Sequence, residues 1–203
     1  MLILDHLALA AETLEEGVAQ VEAMLGVKLA VGGQHPLMGT HNRLLGLGDL
    51  YFEVIAIDPA AARPAFPRWF DLDRFTGRPR LANWICRCDD LMAELVLSPP
   101  GAGVPVALAR ADFRWRMAVP ADGILPFDNA FPALIQWEGA AHPVQRLPES
   151  GVRLERLEIA HPEATALRSA LAGRLDDPRV VFVSGTPAMR AILTTPRGRQ
   201  WLE

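Results

Sequence analysis

Glu53 is the residue whose type and position most clearly predict a functional site. It interrupts YFEVIAI (residues 51–57), a run of strand-forming residues that Asp58 and Pro59 end, and such a run is typical of a buried strand. A carboxylate buried without a partner is costly enough to shift its pKa and take up a proton. We therefore expect Glu53 to meet a partner side chain, a metal ion or a water-lined cavity, where it could transfer a proton.

Three histidines could share that chemistry. His6 lies near the middle of LILDHLALA (2–10), while His35 and His41 lie in the turn-rich segment GGQHPLMGTHNRLL (32–45). His35 and His41 could either hydrogen-bond their own loop or bind a ligand. His6 could bond a backbone carbonyl, or it could pair with Glu53, as a structural salt bridge or as a joint ligand for a metal ion or polar molecule.

The elements that must position these side chains follow a repeated order. The pattern of residues 2–10 predicts a strand. The next helix is expected to start at a capping box formed by Thr13 and Glu16 and to end at Gly26. Strands at 27–31, 40–47 and 50–57 complete a βαβββ unit. The segment 59–80 is rich in proline and arginine and is expected to wrap around the fold. A second unit follows, with strands at 81–90, 105–110, 113–120 and 133–139 and a helix at 91–97, and a βαββ tail begins at residue 152.

Composition narrows the class of protein. The chain has 203 residues, a net charge of −4 and one lysine, Lys28, so no basic surface predicts nucleic-acid binding. It contains no apolar run of membrane-spanning length and no secretory leader pattern, so we expect a cytoplasmic protein that does not bind membranes. Cys86 and Cys88 are too close along a strand for an ordinary disulfide and are expected to be buried thiols. Without a glycine-rich phosphate loop, neither a nucleotide nor a flavin is expected, and without a nucleophile elbow the chain does not resemble a serine hydrolase.

The motifs LDHLAL, GGQHPLMGTHNRLL and YFEVIAI resemble those of a known family. Together with the restart at LANWICRCDDL and the later FRWRMAVP and ALIQWEG, they resemble the glyoxalase-like domains of the vicinal-oxygen-chelate superfamily, also called the glyoxalase/bleomycin resistance/dioxygenase superfamily. The resemblance implies an α+β fold in which paired βαβββ modules, residues 1–58 and 81–139, form a curled-sheet cup. A partial βαββ module would cover residues 152–196, within one domain.

The resemblance also implies a divalent metal ion held by side chains from the first and fourth strands of each module. The first module supplies His6 and Glu53 as ligands, while the second offers only amides, Gln136 as a third ligand and Asn83 beside the substrate. Mn, Mg, Fe, Ni or Zn could bind there. The implied function is a metal-assisted lyase, isomerase or dioxygenase acting on a small oxygenated molecule. The alternative is a metal-free small-molecule binding or resistance-type protein, and a homodimer stays open.

Strand alternation supplies an independent set of pocket residues. If His6 faces the cup, Leu4, Ala8 and Ala10 should face it too, and Glu53 should bring Tyr51 and Ile55. We favour an inward face for His41 and Arg43 on the third strand. Arg114 and Arg116 alternate with apolar residues, so they are either solvated or, if their face lines the cup, able to grip an anionic substrate. The expected substrate-binding residues are thus His41, Arg43, Tyr51, Ile55, Asn83, Arg114 and Arg116.

Overall fold

The computed structural model describes residues 1–203, which form twelve strands and three α-helices. The strands are β1 (Ile3–Ala10), β2 (Ala30–His35), β3 (Thr40–Gly46), β4 (Tyr51–Ile57), β5 (Arg80–Arg87), β6 (Val104–Arg110), β7 (Phe113–Val119), β8 (Ala133–Glu138), β9 (Arg153–Ala160), β10 (Val180–Val183), β11 (Ala188–Thr195) and β12 (Gly198–Leu202). The helices are α1 (Leu14–Leu25), α2 (Leu91–Val96) and α3 (Ala164–Leu171). No helix is both long enough and apolar enough to span a membrane.

The first eight strands form one curled sheet in the order β2-β3-β4-β1-β5-β8-β7-β6. The first and fourth strands of each half are parallel neighbours, β1 with β4 and β5 with β8, and the halves join through antiparallel β1 and β5. The two edge strands, β2 and β6, approach each other and nearly close the cup. The predicted α+β fold with a curled-sheet cup is therefore confirmed.

The last third of the chain packs on the convex side of this sheet. Its strands form a separate sheet in the order β10-β9-β11-β12, of which β12 was not predicted. Leu157 and Leu193 from that sheet join Leu7 and Trp84 from β1 and β5 in one apolar cluster. The convex face of the central strands is thereby covered, which leaves the concave face for a site.

Small side chains in β1 make the concave face hollow. Leu7 and Leu9 point into the convex core, whereas Ala8 and Ala10 point into the cup. Trp69 and Phe70, from the segment that joins the two halves, are buried against these alanines. The segment 58–80 thus crosses the cup and forms part of its inner wall.

Helix α1 supports β4, the strand that carries Glu53, by a close approach at Gly17. A Cβ atom added there would lie 2.6 Å from Val54 Cγ1 and 2.8 Å from Ala11 Cβ. We expect Gly17→Ala to lower the free energy of unfolding by about 1–3 kcal/mol through overpacking, although alanine is the better helix former by about 1 kcal/mol. Urea denaturation measures this change.

The control for that substitution is Gly185→Ala. An added Cβ at Gly185 would meet Ala160 Cβ at 3.6 Å, an ordinary contact distance. An equal free energy of unfolding for the Gly17→Ala variant and the wild-type protein would contradict the proposed close approach.

Candidate functional site

The site begins at a bulge in β1. Leu4 pairs with Cys86 and His6 with Ile85, so Asp5 is an extra residue without a partner on β5. Such a bulge changes which face the following residues take. The expectation that Leu4 shares a face with His6 is therefore wrong: Leu4 lies in the convex core, while His6 faces the cup.

Asp5 is fully buried and receives donors from both halves of the sheet. Its carboxylate lies 2.6 Å from His6 Nδ1, 2.8 Å from His142 Nε2 and 3.1 Å from Trp137 Nε1. Burial alone would raise the pKa of Asp5, but the hydrogen bonds and charges of His142 and His6 outweigh it and hold the pKa well below its usual range. The ionised carboxylate fixes the hydrogen of His6 on Nδ1.

His6 consequently turns Nε2 towards Glu53. The distance from His6 Nε2 to Glu53 Oε2 is 3.6 Å, and both side chains are at most 6% exposed. Tyr51 stacks on the imidazole with ring centroids 4.3 Å apart. The second carboxylate oxygen, Glu53 Oε1, accepts a short hydrogen bond from Asn42 Nδ2. Glu53 thus has the partners that its burial requires.

Arg110, which the sequence analysis did not single out, reaches the same site from the end of β6. Its NH1 group lies 3.2 Å from Asn42 Oδ1 and 3.4 Å from His35 Nε2, and it forms no salt bridge. Burial, and then the charge of Arg110, lowers the pKa of His35 to about 3. His35 is therefore neutral, accepts from Arg110 through Nε2 and donates through Nδ1 to Thr40 Oγ1 at 3.1 Å.

The two glycines of β2 make room for this arrangement. A Cβ atom at Gly33 would lie 2.5 Å from Arg110 Cδ, and one at Gly32 would overlap the oxygens of Asn42. The strand predicted at 27–31 stops before these glycines, but β2 in fact runs through them. The glycines form an irregularity within β2 between Val31 and Gln34. The pair of glycines lets Arg110 cross the edge strand.

These polar groups line an inner chamber of about 30 Å³, room for one or two water molecules. Its other walls are largely aromatic and apolar, formed by Leu44, Trp69, Phe70, Trp115, Met117, Ile135 and Trp137. A chamber that excludes bulk water strengthens the electrostatic interactions within it.

The first module supplies most of the polar lining, although not from the predicted face of β3. Tyr51 lines the chamber as expected, while Ile55 lies in the adjoining apolar core. In β3, Leu44 pairs with Glu53 and Asn42 with Ile55, so Asn42 and Leu44 face the cup. His41 and Arg43 therefore lie on the opposite face, and the inward orientation predicted for them is wrong.

The second module brings none of its predicted polar residues to the chamber. Gln136 lies on the convex side, where its Oε1 accepts from the Leu91 amide at 2.9 Å and caps α2. Arg114 bonds the carbonyls of its own turn, and Arg116 lies 3.3 Å from Glu138 on the outer face. Asn83 faces the cup side beside Ala8, where it is buried without a hydrogen-bond partner, but it does not line the chamber.

Residues 4–175 match the model of a family described as glyoxalase-like domain. The chain belongs to this family. Its fold is similar to that of a hypothetical protein from Staphylococcus aureus, with a TM-score of 0.65 and 14% identity over 93% of this chain and 88% of that one. The resemblance to the vicinal-oxygen-chelate superfamily is confirmed.

Two further solved structures are more distant. Methylmalonyl-CoA epimerase from Mycobacterium tuberculosis has a TM-score of 0.44 and 20% identity over 68% of this chain and 88% of that one. A variant of the Streptomyces coelicolor methylmalonyl-CoA epimerase, in complex with 2-nitronate-propionyl-CoA, has a TM-score of 0.44 and 13% identity over 69% of this chain and 96% of that one. No match is found among curated proteins.

The donor atoms of this glyoxalase-like chain do not fit a divalent metal ion. A catalytic zinc ion usually takes three protein ligands. His6 and Glu53 are the only two available in the chamber, because the third such side chain, His35, has its Nε2 atom 3.4 Å from the Arg110 guanidinium. No group of three His, Cys, Asp or Glu side chains is placed to hold a metal ion, and Gln136 is occupied on the other face. Arg110 instead brings a fixed positive charge next to Asn42.

The low pKa of His35 makes the stability of the fold depend on pH. In the unfolded chain, His35 takes up a proton below about pH 6.5, whereas in the folded protein it stays neutral down to about pH 3. The contribution of His35 to the free energy of unfolding is therefore complete above pH 6.5 and is lost as the pH falls towards 3. We expect the free energy of unfolding to drop by about 2 kcal/mol from this residue between pH 7 and pH 5. Urea denaturation at the two pH values measures the drop.

His35→Gln should remove that contribution, whereas His41→Gln, on the opposite face of the sheet, should retain it. The same pH dependence in the wild-type and His35→Gln proteins would show that His35 is not held neutral.

Proposed function

We propose that this protein is an enzyme of the isomerase or lyase type that moves a proton on a small oxygenated anion. The observation that carries the proposal is the buried pair of Glu53 and His6, 3.6 Å apart, in a chamber that also receives the Arg110 guanidinium. A base, a second proton-transfer group and a cation at one water-poor site are the parts that proton abstraction beside a carbonyl group requires.

Arg110 is the group that would bind the substrate anion. Its charge is opposed by no carboxylate at salt-bridge distance, because its partners are the neutral oxygen of Asn42 and the neutral nitrogen of His35. A guanidinium binds carboxylate or enediolate oxygens with two parallel hydrogen bonds. The substrate class is therefore a carboxylate with a second oxygen on the adjacent carbon, such as a 2-hydroxy or 2-oxo acid.

In the proposed step, the Glu53 carboxylate takes a proton from the carbon beside a carbonyl or carboxylate group. The electron pair of the broken C–H bond moves into the new C=C bond, and negative charge develops on the substrate oxygens. Arg110 stabilises that charge, and Glu53, now protonated, returns its proton to the carbon or passes it to His6. Asp5 serves as a positioning residue, because it fixes the orientation of His6.

The metal-assisted lyase, isomerase or dioxygenase implied by the family resemblance has only two ligands in this chamber, so no step passes through a metal ion. A metal-free binding protein is the second candidate. The absence of strong metal ligands from the second module favours it, because Gln136 is occupied on the convex side. Cytoplasmic location and homodimer formation remain predictions.

Hydrogen exchange separates the enzyme from the binding protein. We expect the wild-type protein to exchange the C2 proton of 2-hydroxy acids or the C3 proton of 2-oxo acids in D₂O, measured by proton NMR. Glu53→Gln should slow this exchange by about 10²–10⁴-fold, the usual contribution of a general base. Glu15→Gln, on the exposed face of α1, is the control and should exchange at the wild-type rate.

Equal exchange by the wild-type and Glu53→Gln proteins would contradict the assigned base. If the wild-type protein binds these acids but exchanges none of them, the enzyme proposal fails and the binding protein stands.

A titration tests the poor fit to metal. We expect untagged protein at neutral pH to give no heat of specific binding with Mn²⁺, Ni²⁺ or Zn²⁺ by calorimetry, because two ligands beside a guanidinium hold such ions weakly. Stoichiometric uptake that both His6→Ala and Glu53→Gln abolish, and that Cys86→Ser retains, would contradict this expectation and restore the metal-assisted enzyme.

A further inference from the structure

A second cavity adjoins the inner chamber where the two edge strands meet. It has a volume of about 310 Å³ and lies between β2 and the β6–β7 hairpin. Arg110 and Leu44 line both this outer compartment and the inner chamber. The Arg110 side chain is thus the partition between a small polar space and a larger one.

The outer compartment is mainly apolar. Leu44, Phe113, Pro143 and Leu147 provide apolar side chains on its walls. The volume is at the lower end of the range for small-molecule sites.

The charges around the compartment select the sign of its ligand. Arg110 and Arg146 both line it. Arg146 is neutralised by a salt bridge with Asp112, whereas Arg110 has only neutral partners. One uncompensated cation therefore stands at the inner end of an apolar cavity, an arrangement that matches an amphipathic anion.

We propose that the outer compartment binds an apolar tail of the substrate, so that the substrate is an amphipathic carboxylate. The oxygens of its head group enter the inner chamber beside Arg110, and the tail extends over Phe113 and Leu147 to the surface. This inference rests on the proposed function for the role of Arg110, and it adds the apolar tail to the substrate class.

Calorimetric titration with acetate, butanoate, hexanoate and octanoate tests the proposal, since these acids lack the second oxygen and cannot react. We expect the wild-type affinity to rise with chain length by about fourfold for each methylene that becomes buried. Arg110→Gln should weaken binding of every acid.

Leu147→Asp should weaken octanoate binding much more than acetate binding, because it places a negative charge beside the tail. The control is Val104→Asp, at an apolar residue of β6 that is 64% exposed. It lies six residues from Arg110, about 20 Å along the strand, and should retain wild-type affinities.

The outcomes distinguish this inference from the proposed function. If all four acids bind the wild-type protein equally and Arg110→Gln weakens them all, the tail site is overturned and the anion site stands. If Arg110→Gln changes no affinity, the anion site of the proposed function is overturned as well. If no acid binds, the tail site is overturned, and the exchange assay with 2-hydroxy and 2-oxo acids in D₂O decides the proposed function separately. If Leu147→Asp and Val104→Asp behave alike, the tail does not lie over Leu147.

Discussion

The buried carboxylate of Asp5 is the interaction on which the site depends. Its donors come from separate parts of the fold: His6 from β1, Trp137 from β8 and His142 from the turn after β8. Arg87 on β5 adds a longer contact at 3.5 Å. Removing one partner of a buried charge costs about 3–5 kcal/mol, so each donor is held in place by the need to satisfy Asp5. The second module, which sends Arg110 into the chamber but no carboxylate or imidazole, thereby also orients the imidazole of the first.

Arg110 is the fixed positive charge of the cup. Glu53 and Asn42 are linked by a hydrogen bond, and Asn42 is linked in turn to Arg110, so a neutral amide separates the carboxylate from the guanidinium. The Arg110 side chain needs space to cross β2 into the cup, and Gly32 and Gly33 provide that space because neither carries a Cβ atom. The glycine pair, the amide and the arginine therefore form one structural unit.

Sequence alone predicts those parts of the site that depend on alternation within a regular strand. Glu53 and Tyr51 lie on the chamber face of β4 as predicted, and the motifs of the first module indicated the fold. The inward face predicted for β3 was wrong. The sequence THNRLLG has polar residues on both faces of the strand, so the orientation of β3 is set only by its pairing with β4. The bulge at Asp5 leaves no mark in LILDHLALA. Arg110 meets His35 across 75 residues of sequence, through a closure of the cup that no local pattern encodes. Asp5, directly before His6, and Asn42, two residues before Leu44, are the sequence signals for the site. They become informative only once the inward faces of β1 and β3 are known.

The walls of the chamber differ in how readily a ligand could displace them. Trp69 and Phe70 are each 4% exposed and stack on each other with centroids 5.4 Å apart, and burying such a ring stabilises the fold by about 1.5–3 kcal/mol. The backbone at Phe70 and Asp71 is in the left-handed region, with φ of 58° and 55°, a conformation that only surrounding contacts maintain. Arg110, in contrast, is half-buried and held by two long hydrogen bonds to neutral acceptors, and rotation of its side chain disturbs no backbone. A carboxylate offers that guanidinium a stronger, charge-assisted bond than either acceptor. A carboxylate in the outer compartment would therefore compete with Asn42 and His35 for the Arg110 guanidinium.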